Sequence, residues 1–130
     1  MIYSMQMLTM RLSKANFWIQ AATYGLTLLA VVGSLLPPRH IEPLTFSLSD
    51  KLIHSVYYFI LTIGWLHTYA QDVQRKQLHV VISLLALGLL LECLQAILPI
   101  NRTMDAYDLI ANGFGIVVAL LLVRLGPKVL

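Results

Sequence analysis

The chain has 130 residues, 58% of them hydrophobic and only 12% charged, with nine Lys and Arg against six Asp and Glu. Soluble domains carry roughly a quarter charged residues, and a chain this short leaves much of its surface exposed, so water is excluded as the solvent for so apolar a composition. The surplus of +3 sits in short clusters between apolar runs rather than on one basic face with interleaved aromatics, which argues against a nucleic-acid partner.

Four apolar segments follow one another, at about 17–36, 52–70, 78–98 and 109–125. Each is close to the roughly 20 residues that carry an α-helix across the hydrocarbon core. Lipid requires backbone groups to bond within the segment, and the alternating pattern of barrel strands is missing. The expected fold is all-α, a single-domain integral membrane four-helix bundle. Arg11 and Lys14 precede the first segment as in a signal peptide, but the apolar run exceeds a signal core and Pro37-Pro38-Arg39 follows it, so it reads as a retained span.

The connections are polar. Residues 37–51 form the longest predicted loop, with Pro37, Pro38 and Pro43 as helix breakers and Ser49 or Asp50 as N-cap of the second span. Residues 71–77 and 99–107 form shorter turns. Arg11, Lys14, Arg75, Lys76, Arg124 and Lys128 fall on one side of this topology, and Arg39, Lys51 and Arg102 on the other. The bias of cations towards the cytoplasm then places both termini inside and the protein in the inner, cytoplasmic membrane as a multi-pass protein. The lone Cys93 excludes an intramolecular disulfide, and no cofactor motif is present.

Helical spacing gathers the polar residues at one level. Asp50 and His54 are four apart, with Lys51 beside them and Tyr57 and Tyr58 following. Gly88, Glu92 and Gln95 form one stripe on the third span; Asp108, Asn112 and Gly115 form another on the fourth, and Arg102 lies in the loop between them. Gly88, Gly113 and Gly115 are expected to let helices approach closely. An acid as deep as Glu92 is poorly placed against lipid, so it should face the bundle, either protonated or paired with Arg102, His54 or a backbone donor. Asp50, His54, Glu92 and Asp108 suggest a metal set on paper, but no HExxH-like motif fixes its geometry and no metal is expected.

At these positions the chain resembles the VanZ-like family. The match consists of Asp50-Lys51-x-x-His54 with Tyr57 or Tyr58, Glu92-x-x-Gln95 with Pro99 and Arg102, and Asp108-x-x-x-Asn112-x-x-Gly115. It covers roughly residue 37 to the carboxyl end, the first span agreeing in hydrophobicity alone. Ser55 stands where an aromatic is common, and Ile100-Asn101 where a glycine is usual. The family takes its name from an accessory protein that raises resistance to the glycopeptide teicoplanin, and the resemblance implies the bundle and its polar cluster.

Three functions follow as expectations. The first is a binding or accessory protein whose outward pocket of Asp50, Lys51, His54, Glu92, Gln95, Arg102, Asp108 and Asn112 holds an envelope lipid headgroup, anionic or polyprenyl-linked, with an effect on teicoplanin susceptibility. Lys51 and Arg102 would contact phosphate. The second is a membrane enzyme acting on a phosphate- or glycan-bearing lipid, with His54 or Glu92 as general acid/base. The third is a proton-coupled transporter with Glu92 as carrier, for which four spans are few unless the chain forms a homo-oligomer.

Overall fold

A computed structural model describes residues 2–37, 43–69 and 73–126. Among them are four helices and no strand: α1 (Ile2–Leu35), α2 (Pro43–Thr68), α3 (Val73–Ile97) and α4 (Ala106–Leu125). Arg39 and Lys128, two cations of the charge pattern, lie outside the described residues, as does Asp72. Three helices contain stretches long and apolar enough to cross a membrane, Lys14–Leu35, Arg75–Ile97 and Ala106–Leu125. The second expected span differs. At 26 residues, α2 is about 39 Å long, ample for the hydrocarbon core, but its polar residues dilute its apolar character.

The position of α2 in the bundle explains how it tolerates that composition. It packs against all three other helices and most extensively against α4. Contacts of Tyr57 with Leu26, Gly88 with Tyr58 and His54 with Asn112 fix its direction: antiparallel to α1 and α3, parallel to α4. Most of its polar side chains therefore face protein, while Leu52, Ile53, Val56 and Ile60 on its outer flank stay exposed. Tyr58, Leu61 and Leu66 of α2 form the buried core with Val80 and Leu84 of α3 and Ile116 of α4. By contrast, Trp18, Leu28, Leu29 and Val32 of α1, Leu78 and Leu90 of α3, and Ile110, Phe114 and Leu122 of α4 are exposed, the apolar exterior that a lipid-facing bundle presents.

All four helices start earlier than the sequence reading, α3 at Val73 and α4 at Ala106 inside the expected turns, and α2 and α1 by more. α2 begins at Pro43, so Ser49 and Asp50 lie within a helix rather than at its cap, and the predicted loop over 37–51 is shorter. Proline breaks a helix interior but suits the first turn, where its missing N–H would have no intrahelical partner and its fixed φ is already helical. α1 likewise starts at Ile2, absorbing the amino-terminal arm. Between α3 and α4, Asn101 adopts a left-handed backbone with φ of 54°. Glycine enters that region most readily and asparagine tolerates it, which explains how Asn serves in a loop where the family commonly has glycine.

Glycine also sets the closest helix contact. A Cβ on Gly115 would collide with the backbone carbonyl of Ser55 on α2, while one on Gly88 would crowd Asn112 and Tyr58. Gly64 makes an equivalent approach to the Thr23 side chain of α1, which the sequence pattern did not single out. Gly113 faces open space and contributes no close packing, contrary to expectation. Replacing Gly115 by Ala forces α2 and α4 apart, and overpacking of this kind costs about 1–3 kcal/mol. The expected outcome is a lowered melting temperature for Gly115→Ala in detergent, measured by loss of the monodisperse elution peak on heating, with Gly113→Ala unchanged.

Candidate functional site

The polar stripes meet at the end of the bundle where α2 and α4 begin and α3 ends. Lys51 on the exposed flank of α2 donates to the carboxylates of both Asp105 and Asp108, tying the two helix starts together. Asp105 is the N-cap of α4, accepting from the Tyr107 N–H at 2.8 Å. Its own backbone N–H donates to Glu92 Oε2 at 2.8 Å. Three helices are thus fastened through one residue of the connecting loop.

Glu92 is 2% exposed and faces the bundle interior as expected. Of the partners considered for it, the backbone donor is the one present, and no Glu92–Arg102 ion pair forms among the described residues. Gln95 is also buried, but its amide reaches away from the cluster to donate to the Ser34 carbonyl of α1 at 2.9 Å. That bond holds the end of α1 against α3.

His54 stands at the centre. Its Nδ1 is 3.0 Å from Asn112 Oδ1, an acceptor, so Nδ1 carries the proton in this arrangement. Nε2 then points between two carboxylates, 3.7 Å from Asp108 Oδ2 and 4.0 Å from Asp50 Oδ1. Ligand atoms of Asp50, His54 and Asp108 lie within 4.8 Å of one another, and Glu92 is not part of that group. One of these carboxylates is already shared with the Lys51 ammonium. Just beneath, Ser55 donates to the Ala111 carbonyl at 2.8 Å, at the level where Gly115 admits α2.

A cavity of about 250 Å³ opens beside this cluster between α1 and α2. Leu29, Ala30 and Gly33 line its α1 side, and Asp50, His54 and Tyr57 its α2 side. Arg102, from the α3–α4 loop, completes the lining. The buried Nε of Arg102 has no hydrogen-bond partner, nor does the buried hydroxyl of Tyr58. Arg102 also forms no ion pair with any described carboxylate. The two cations that the sequence paired in one role are therefore separated: Lys51 is bound to protein carboxylates, whereas Arg102 faces the cavity without one.

A sequence profile of the VanZ/LLP1 family matches residues 2–126. The chain belongs to this family. No curated protein and no solved structure matches it. For a VanZ-like chain, the match extends the resemblance through α1, beyond the motif-bearing helices. Asp105 is the site residue that sequence reading missed. Its available signal was an Asp, a preferred N-cap type, four residues before the fourth apolar run.

The hydrogen bond from Lys51, then that from the Tyr107 N–H, holds the Asp105 carboxyl below the usual aspartate range. A folded-state value below the unfolded value of about 3.9 stabilises the fold above that pH and is lost as pH falls through the folded value. Asn caps a helix about as well as Asp, so Asp105→Asn removes the charge while retaining the cap. The wild type is expected to melt at a higher temperature than Asp105→Asn at pH 5–7. Melting scans from pH 7 down to pH 3 should show that gap closing below about pH 4.

Proposed function

We propose that this VanZ-like membrane protein binds the phosphate-bearing headgroup of an envelope lipid in the cavity beside His54, on the outward side of the cytoplasmic membrane. The Arg102 guanidinium lines that cavity with its Nε lacking a hydrogen-bond partner and with no ion pair among the described residues, and this carries the reading. A cation near the hydrocarbon boundary without a protein carboxylate calls for an anion, and a guanidinium matches phosphate through parallel hydrogen bonds. Asp50, in the same lining, adds a group suited to hydroxyls of a glycerol or sugar unit. Lys51 acts at one remove, holding Asp105 and Asp108 in place.

Size narrows the ligand. Small-molecule pockets commonly enclose roughly 300–1,000 Å³, so a space of about 250 Å³ accommodates a headgroup and little more. The acyl or polyprenyl tail then lies outside, along the exposed apolar surface of α1 at Leu28 and Val32. Retention of an envelope lipid is the route by which such a protein would alter susceptibility to teicoplanin.

A second reading, an enzyme acting on the same lipid class, draws on the orientation of His54. Its Nε2 faces two carboxylates at the edge of the cavity, a placement suited to accepting a proton from a hydroxyl or water. Glu92, enclosed and bonded to the Asp105 N–H, is the less accessible of the two candidate acid/base groups. Turnover of a lipid phosphate by the purified protein, abolished in His54→Gln, would favour catalysis over binding.

Lipids that co-purify after mild extraction test the binding reading. A charge-assisted hydrogen bond contributes about 1.5–3 kcal/mol, so Arg102→Ala should retain at least about tenfold less phospholipid or polyprenyl phosphate than wild type. Arg102→Lys should recover part of it. Identical lipid phosphorus in wild type and Arg102→Ala would remove the proposal.

A further inference from the structure

The opposite end of the bundle has a different character. Among the described residues every carboxylate (Asp50, Glu92, Asp105, Asp108) belongs to the end where α2 and α4 begin. The other end carries Lys14, Arg75, Lys76 and Arg124, with Arg124 placed at that level by its 3.5 Å contact with Gln77. No described acid offsets these cations.

A groove of about 490 Å³ opens there, between the start of α3, the end of α2 and the middle of α1. Trp65 of α2 and Tyr69 just past its end form one wall, their rings stacked with centroids 6.2 Å apart. Trp65 is held by its Nε1 donating to Thr27 Oγ1 at 3.2 Å and by the edge of Tyr24, so this wall is built before any ligand arrives. Lys76 sits at the mouth, its ammonium 5.5 Å from the centre of the Tyr69 ring. Val80, Leu84 and Leu87 continue inward from Lys76 along one face of α3.

The groove's length indicates what fills it. From Lys76 to Leu87 the helix rises about 16 Å, close to half of a roughly 30 Å hydrocarbon core, the depth of one leaflet. An apolar floor one leaflet deep, aromatic walls at the level of the boundary and, at the mouth, a cation with no carboxylate partner among the described residues match one acyl chain attached to a phosphate. We propose that this groove is a second lipid site, distinct from the cavity beside Arg102. Its occupant is an anionic glycerophospholipid of the leaflet on the α2–α3 turn side, with its phosphate at Lys76 and one chain over Val80, Leu84 and Leu87. His79 at the mouth supplies a further polar contact.

Trp65 is a built-in reporter. With the exposed Trp18 replaced by Phe, the protein is reconstituted in phosphatidylcholine vesicles containing a fixed fraction of either brominated phosphatidylglycerol or brominated phosphatidylcholine. A basic residue near an anionic headgroup contributes about 1 kcal/mol, so the glycerol lipid should quench Trp65 as though enriched about fivefold over its bulk fraction. Lys76→Gln should bring the two lipids level, and Arg102→Ala should leave the preference intact. Equal quenching by both lipids in the protein with Lys76, or a preference that survives Lys76→Gln, overturns the proposal. Loss of the preference in Arg102→Ala overturns the separateness of the sites. Trp65 shielded from both lipids, with dimers captured by cross-linking, shows that a second copy covers the groove instead.

Discussion

Ionisable side chains at the edge of a hydrocarbon layer have few places to go. A charge presented to lipid is unfavourable by about 2.5–3.5 kcal/mol at mid-membrane and less towards the boundary, so several of them on neighbouring helices strongly favour mutual pairing. Here that requirement is met by Lys51, set between Asp105 and Asp108, and by Glu92, which takes the backbone N–H of Asp105. Asp105 is the common member, since its side chain caps α4 and binds α2 while its amide binds α3. The loop from Leu98 to Asp105 is consequently fixed at its far end, with the left-handed turn at Asn101 setting its course. Arg102 is delivered to the cavity as a result, and it forms no ion pair with a described carboxylate there.

The same requirement explains why the helix that carries Asp50, Lys51 and His54 is the central one. Asp50, Lys51, His54, Ser55 and Thr62 would burden an outer helix, but α2 is covered on three sides by α1, α3 and α4. Ser55 and Thr62 bond to backbone carbonyls, and His54 bonds to Asn112. Close approach makes these short side chains sufficient. Gly115 lets α4 reach the backbone of α2 within a turn of His54, and Gly88 leaves room for Tyr58 and Asn112 at the same depth. Packing and polar satisfaction therefore reinforce one another, each dependent on the small residue that permits the other.

Hydropathy made the four helices legible because lipid imposes a uniform demand over about 20 residues, and helical periodicity made the polar stripes legible because 3.6 residues per turn fixes which side chains share a face. Helix starts were less visible. Pro43 reads equally well as a breaker or as a first-turn residue, and the chain before a span is polar whether helical or not. Partners were least visible where one partner is backbone. Glu92 meets the Asp105 N–H and Gln95 the Ser34 carbonyl, groups that every residue possesses and no residue type advertises. Charge complementarity alone suggested Glu92 with Arg102; the geometry of the loop assigned Asp105 to Glu92 and left the arginine to the cavity.

The family match reaches further than the recognisable motifs. The recognisable motifs lie on α2, α3 and α4, whereas the VanZ/LLP1 profile runs from residue 2 to 126 and includes α1. What α1 provides is mostly not side-chain chemistry. It offers the Leu26 carbonyl to the Tyr57 hydroxyl and the Ser34 carbonyl to Gln95, and the small residues Ala30 and Gly33 line one side of the cavity. A helix with such duties needs apolarity, length and small residues at particular turns, but no signature residue. Its sequence looks like any membrane span, yet without it Gln95 loses its acceptor and the cavity beside Arg102 loses one of its walls.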